Sequence, residues 1–88
     1  MLFRSLVRAV VPAEEVLPAA LDLARRLATG PTQAYAEVKR GVHLGAVSDL
    51  ATVLAEEGAA QTRLAATEDH VNAVDDFLNK RKPEFRGR

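Results

Sequence analysis

The sequence predicts an all-α chain of about four helices that follow a short N-terminal strand or extended arm. From residue 17 onwards, apolar residues recur at spacings of three and four, the periodicity of amphipathic helices. Gly30 and Pro31 interrupt that pattern in the order that ends one helix and opens the next. The β-branched run LVRAVV (6–11) precedes the helical pattern. Pro12 ends this run, because proline cannot donate to a β-ladder.

The first helix is predicted from one apolar stripe. Pro18 fits in its first turn, because the missing N–H would have no acceptor within the helix there. Gly30 and Pro31 are expected to end it. The stripe consists of Leu17, Ala20, Leu21, Ala24, Leu27 and Ala28.

The second helix is predicted to begin near Pro31 and to turn Tyr35, Val38 and Val42 inward. It should end near Gly45, since glycine inside a helix costs about 1 kcal/mol relative to alanine.

Two N-terminal caps predict the remaining helices. Ser48 or Asp49 can cap a third helix that continues through Ala65. Thr67 can cap a fourth, whose first turn carries the acidic pair Glu68–Asp69, which faces the positive end of the helix dipole.

The apolar stripe of the third helix is interrupted by Glu57, Gly58 and Gln61, and two interpretations remain open. The helix is either partly exposed, with Glu57 and Gln61 supporting each other at a spacing of four, or packed against another subunit. In the second case Gly58 would allow close approach, and the polar pair would find partners across the contact.

Length and composition restrict the function classes. A chain of 88 residues forms one domain at most, with a thin core. Twelve basic and twelve acidic residues cancel, so no overall field attracts it to nucleic acid or a membrane surface. There is no cysteine and no apolar run long enough for a membrane span, and we expect a cytoplasmic protein. The first five residues, MLFRS, are interpreted as a non-native start.

No catalytic or metal-binding residue is predicted. His43 and His70 lie on different predicted helices without a cluster of further ligands. His70 is expected to pack beside Val74 and Phe77. Three acidic doublets are interpreted as solvated helix faces, because a working carboxylate pair needs groups that converge from separate elements. They are Glu14-Glu15, Glu56-Glu57 and Asp75-Asp76.

The basic residues near the end of the chain allow two interpretations. They are Lys80, Arg81, Lys82, Arg86 and Arg88. Cations favour helix C-termini, where carbonyl groups carry partial negative charge. Alternatively, Phe77 and Lys80, three residues apart on one helical face, present an aromatic ring beside an ammonium group. Such a pair suits a ligand with an apolar part and a phosphate.

Four segments in this order resemble the C-terminal part of the crotonase superfamily, the enoyl-CoA hydratase and isomerase family. They are LVRAVVPAEEVLPAALDLARRLATGP, YAEVKRGV, LAEEGAAQTRL and TEDHVNAVDDFLNKRKPEFRGR. The resemblance implies that residues 6–88 form the helical trimerisation and pocket-lid region of that fold. It also implies that the oxyanion hole and the acid or base belong to a region upstream of these segments.

Phe77 and Lys80 match the family's Phe-x-x-Lys-Arg ending, so the resemblance assigns them to coenzyme A bound mostly by a neighbouring subunit. It implies no tightly bound cofactor, an acyl-CoA thioester as the parent enzyme's substrate, and a homo-oligomer or a separate catalytic core as partner. The chain departs from the family at Asn72-Ala73, where Glu-Gly is common, and at Asn79, where Glu is common.

The sequence therefore predicts an oligomerisation and acyl-CoA pocket-lid segment that does not catalyse alone. The alternative is an autonomous helical protein that self-associates through the Leu50–Leu64 face and binds no ligand.

Overall fold

The protein is all-helical in its computed structural model, which describes residues 6–88. A 3-10 turn at Ala13–Glu15 leads into α1 (Val16–Ala28), followed by α2 (Thr32–Gly45), α3 (Leu50–Ala65) and α4 (Glu68–Leu78). The predicted all-α class is thus confirmed. No residue in the described range belongs to a β-strand, and residues 7–12 have no regular secondary structure apart from a bend, so the arm rather than the strand is found. The interpretation of residues 1–5 as a non-native start lies outside the described residues.

The two predicted side-chain caps are present. Asp49 Oδ1 accepts the Thr52 N–H at 2.8 Å at the start of α3. Thr67 Oγ1 accepts the His70 N–H at 3.1 Å at the start of α4. Each cap satisfies an N–H group that has no acceptor within its own helix. The ends of these helices therefore follow from local sequence chemistry.

Gly30 separates α1 from α2 and also leaves room for the Tyr35 side chain. A Cβ atom built on Gly30 would lie 2.9 Å from Cε2 of Tyr35. That distance is below any normal carbon–carbon contact. A Cβ atom at position 30 would therefore force the Tyr35 ring to move, because the ring lies against the backbone of the turn.

A polar cluster joins α2 to α3. Arg63 Nε donates to Glu37 Oε1 at 3.2 Å, and Arg63 Nη2 donates to Glu37 Oε2 at 2.9 Å. Arg63 also pairs with Glu56 on its own helix, and Arg40 pairs with Glu37. The hydrogen bonds from Arg63 and the charges of both arginines hold the pKa of Glu37 below its ordinary value. The bidentate contact fixes the two helices side by side.

The last nine residues, which we call the tail (80–88), fold back along α4 and are held by Asp69. Asp69 is 5% exposed, and its carboxylate accepts the backbone N–H groups of Arg86 at 2.7 Å and Gly87 at 2.8 Å. The Asp69 N–H donates to the Arg88 carbonyl at 2.8 Å. Gly87, with φ of 76°, adopts a left-handed conformation that favours glycine, and its carbonyl accepts from Gln33 Nε2 at 2.9 Å.

The described helices leave their apolar faces in water. No apolar residue among 6–88 is buried. The prediction that Tyr35, Val38 and Val42 point inward is wrong within this chain, because they are 40%, 66% and 67% exposed. Periodicity identified the apolar face correctly, but no element among residues 6–88 buries it. None of the described helices has the length and apolar character needed to cross a membrane.

Two global dimensions agree with this exposure. The accessible surface is 7322 Å², whereas a folded monomer of 9.5 kDa exposes roughly 5,000 Å². The radius of gyration is 16.5 Å, against about 12 Å for a compact domain of this length. The surplus surface, on the order of 2,000 Å², is similar to that buried in a protein–protein interface.

The isolated chain is expected to lack a cooperative folded state in dilute solution, because it buries too little apolar surface to offset its conformational entropy. Circular dichroism between low micromolar and millimolar concentration should show helix content that rises with concentration. A thermal transition that is cooperative and independent of concentration in the low micromolar range would contradict this prediction.

Asp69→Asn is expected to release the tail. Asparagine keeps one acceptor oxygen but turns an NH₂ group towards the second backbone N–H. Under the concentrated conditions in which the chain is helical, trypsin should cleave after Arg86 about tenfold faster, the scale expected for a lost charge-assisted hydrogen bond. Glu57→Gln is the matched control and should change cleavage little, because Glu57 is exposed on α3 and the ion pairs of the tail are with Asp75, Asp76 and Glu68 instead.

Lowering the pH should release the tail, as Asp69→Asn does. Three backbone hydrogen bonds, with that from Arg86 the strongest, and the charge of Arg88 hold the pKa of Asp69 below its ordinary value. The stability it contributes is therefore present above the unfolded-state pKa and is lost as pH falls through the lower folded-state pKa. Tail protection against an acid-active protease should fall over that range in the wild type. If Asp69→Asn shows the same pH-dependent loss, Asp69 is not the titrating group.

Candidate ligand-binding site

The two residues predicted to bind a ligand lie at the C-terminal end of α4. Phe77 is in the last turn and is 80% exposed, and the adjacent Leu78 is 73% exposed. Lys80 is exposed and lies beyond the helix, which ends at Leu78. The expectation that Phe77 and Lys80 share a helical face through a spacing of three is therefore wrong in its geometry, because Lys80 is not helical.

A helix-capping motif sets the position of Lys80 instead. Its N–H donates to the Phe77 carbonyl at 3.1 Å, and the Arg81 N–H donates to the Asp76 carbonyl at 2.8 Å. These two bonds define a Schellman motif, whose turn residue is usually glycine. Lys80 occupies that turn position with φ of 55°. A left-handed conformation costs a residue with a Cβ atom roughly 1–2 kcal/mol.

Lys80 has no ion-pair partner among the described residues, whereas the neighbouring Arg81 has two. Arg81 is paired with both Asp75 and Asp76, and its Nε lies 2.8 Å from Asp76 Oδ1. These contacts raise the pKa of Arg81 above its ordinary value, and the hydrogen bond to Asp76 contributes most. No acidic group within residues 6–88 forms an ion pair with Lys80. The end of α4 thus presents an uncompensated ammonium near exposed apolar side chains.

This arrangement suits recognition of a ligand rather than chemistry on it. An exposed ammonium attracts a phosphate as a point charge, and the Phe77 ring can contact an apolar or aromatic group. His70, predicted to be packed, is exposed, because no element among residues 6–88 buries the apolar face that it shares with Val74 and Phe77. Among the described residues, no group of three or more His, Asp or Glu could hold a metal ion.

An open groove of about 710 Å³ runs between α2 and α3. Val38, Val42, Leu54 and Gly58 are among the residues that line it. A Cβ atom built on Gly58 would meet nothing within 4 Å, so the surface at Gly58 is open, and the expected close approach of another subunit stays a prediction. No hydrogen bond joins Glu57 to Gln61; Thr62 Oγ1 instead donates to the Gly58 carbonyl at 3.1 Å.

Reasoning from the sequence missed two residues that shape this region. The sequence indicates Asp69 only as a charge near the helix dipole, whereas its carboxylate binds backbone groups 17 and 18 residues further along. Arg81 had been grouped with the free cations of the tail. The Asp75-Asp76 pair, five and six residues before Arg81, is the signal that could have indicated its ion pairs.

The comparison with known proteins assigns the family. A family model described as Enoyl-CoA hydratase/isomerase matches residues 2–88. The chain is 37% identical over 83 residues to 2,3-dehydroadipyl-CoA hydratase of Escherichia coli K12, covering 94% of this chain and 32% of that protein. It is 34% identical over 79 residues to 1,2-epoxyphenylacetyl-CoA isomerase of the same organism, covering 90% of this chain and 30% of that protein.

Solved structures give the same result. A crystal structure from Mycobacterium abscessus, described as an enoyl-CoA hydratase/isomerase, is 47% identical and superposes with a TM-score of 0.84 over 90% of this chain and 30% of that one. An enoyl-CoA hydratase from Geobacillus kaustophilus HTA426 gives the same TM-score and coverage at 30% identity. The four helices match the C-terminal helical region of the crotonase fold. The chain spans about a third of the length of the relatives it matches, and it belongs to the enoyl-CoA hydratase/isomerase family.

Proposed function

We propose that this chain is the oligomerisation and acyl-CoA pocket-lid segment of an enoyl-CoA hydratase/isomerase and does not catalyse alone. The observation that carries the proposal is the exposure of the apolar faces. A helical arrangement that matches a family fold with a TM-score of 0.84, yet buries no apolar residue among 6–88, has surfaces suited to other subunits or to a catalytic core.

The end of α4 would form one wall of the acyl-CoA site. Phe77 would contact an apolar part of coenzyme A, and Lys80 would attract one of its phosphates. Two observations support this role: Phe77 is 80% exposed, and Lys80 has no ion-pair partner in the described chain. The attraction would be screened by salt, because Lys80 is exposed to solvent.

Catalysis would require groups that this segment does not supply. Stabilising the transition state of a thioester reaction needs preorganised donors at the developing oxyanion and a positioned acid or base. In the proposed assembly these groups come from a catalytic core, while the segment holds subunits together and restricts access to the bound thioester. No tightly bound cofactor is required, and the cytoplasmic location remains a prediction.

A second candidate is an autonomous helical protein that self-associates and binds no ligand. The groove between α2 and α3 favours it, since Val38, Val42 and Leu54 are more than half exposed there. This candidate predicts helix content that depends on concentration and does not respond to coenzyme A. It would be excluded by a chain that stays folded and monomeric on dilution.

A chimera tests the proposed role. Residues 6–88 replace the matched C-terminal region of the enoyl-CoA hydratase from Geobacillus kaustophilus, and turnover of crotonyl-CoA is measured. We expect an active oligomer. We expect Lys80→Ala to raise KM about two- to fivefold, the range for one exposed charge contact, with a weaker dependence of KM on salt and an unchanged kcat.

Lys39→Ala is the matched control, because Lys39 is also exposed but lies on α2. It should leave KM unchanged. If Lys80→Ala has no effect on KM at low ionic strength, the ligand role of Lys80 is wrong. Crotonyl-CoA turnover by the 88-residue chain alone would contradict the non-catalytic role.

Lys80→Gly separates the backbone of Lys80 from its charge. Glycine adopts positive φ without steric cost, so this substitution should stabilise the chimera by about 1 kcal/mol relative to Lys80→Ala. Both variants should raise KM equally, because both remove the ammonium group. Denaturant unfolding measures the first effect and steady-state kinetics the second; equal stability of the two variants would show that position 80 does not need a left-handed backbone.

A further inference from the structure

Lys80 is bracketed by two residues that are tied back to α4. On one side, Asn79 Nδ2 donates to the Asp75 carbonyl at 2.8 Å and to Asp75 Oδ1 at 3.1 Å. On the other side, the Arg81 N–H donates to the Asp76 carbonyl at 2.8 Å. Position 80 must connect these two fixed points, which forces the chain to reverse there.

The side chain of Arg81 reinforces this reversal. Its guanidinium spans two carboxylates, with Nε 2.8 Å from Asp76 Oδ1 and Nη2 in contact with Asp75 Oδ2. A planar guanidinium holds such a forked contact in one orientation, which a lysine ammonium cannot do. Asp76 is the better-shielded partner, because its side chain is 19% exposed against 62% for Asp75.

Arg81 is therefore poorly placed to attract an anion itself. Two carboxylates compensate its charge, whereas the adjacent Lys80 has no such compensation. The two neighbouring cations thus have different surroundings: one is bound to the helix and the other is available. A contribution of Arg81 to ligand binding would have to act through the geometry of Lys80.

We propose that Arg81 is a positioning residue: by spanning Asp75 and Asp76 it holds Lys80 in its left-handed conformation and so directs the ammonium group to the ligand that Phe77 contacts. This inference rests on the proposed ligand role of Phe77 and Lys80. It assigns the Asp75–Asp76–Arg81 cluster to the presentation of Lys80 rather than to direct contact with coenzyme A.

A direct electrostatic role for Arg81 makes the opposite prediction for one substitution. Asp76→Asn removes a negative charge near the site. If Arg81 attracted the ligand directly, this change would lower KM for an anionic thioester. If Arg81 acts by holding Lys80, the same change weakens the forked contact and raises KM. The sign of the effect distinguishes the two roles.

The experiment uses the chimera with crotonyl-CoA as the probe. Arg81→Gln and Asp76→Asn are each expected to raise KM about two- to fivefold. Neither increase should exceed that caused by Lys80→Ala, and kcat should stay unchanged. Arg81→Lys keeps the charge but loses the fork, so it should raise KM like Arg81→Gln. In the Lys80→Ala background, neither Arg81→Gln nor Asp76→Asn should raise KM further, because both substitutions act by displacing the Lys80 ammonium group.

A structural measurement accompanies the kinetics. The crystal structure of the Arg81→Lys chimera, the mildest variant, should show Lys80 outside the positive-φ region or with an alternate backbone conformer. The inference is overturned if Asp76→Asn lowers KM or leaves it unchanged. It is also overturned if Arg81→Gln raises KM in the Lys80→Ala background as much as it does in the unsubstituted chimera. An unchanged KM for Lys80→Ala is the separate result that removes the proposed ligand role as well.

Discussion

The absence of buried apolar side chains among residues 6–88 is the constraint on which the rest of the structure depends. Hydrophobic burial is the main favourable term in folding, so residues 6–88 lack the usual main source of stability. The contacts within the chain are mostly polar: caps at Asp49 and Thr67, the Glu37–Arg63 contact between α2 and α3, and the hold of Asp69 on the tail. Such contacts fix geometry, but each contributes little net free energy. These polar contacts therefore give the chain a defined shape without a buried apolar core among the described residues.

Local sequence chemistry was sufficient to predict the helices. The N-caps at Asp49 and Thr67, the Gly30–Pro31 boundary and the end of α2 at Gly45 each act within one turn of the chain, and the structure has all of them. The exposure of Val38 and Val42 was not predictable in this way. A periodic pattern shows which face of a helix is apolar, but it does not show whether the covering surface belongs to the same chain.

The ligand-binding role of Phe77 and Lys80 stays a prediction, and the helical face that they were expected to share is not found in the structure. Resemblance to the family identified Phe77 and Lys80. Nothing in the local sequence indicated that Lys80 would take the turn position of a Schellman motif, because glycine is the usual residue there. Asp69 was missed for a related reason: its partners are backbone N–H groups 17 and 18 residues away, and backbone groups leave no mark in the sequence.

The tail connects these two missed features. It is tied to the end of α4 by Arg81 and to the start of α4 by the bonds of Arg86 and Gly87 to Asp69. Asp76 and Asp69 are seven residues apart on α4, about 10 Å along the helix axis, whereas the six residues from Arg81 to Arg86 can span up to about 18 Å. The tail therefore has slack between its two anchors, although Pro83 restricts its backbone. Each anchor thus acts on its own end of the tail, and the one next to Lys80 is Arg81. Polar contacts at both ends of one short helix thus hold the tail in place, while no apolar residue among 6–88 is buried.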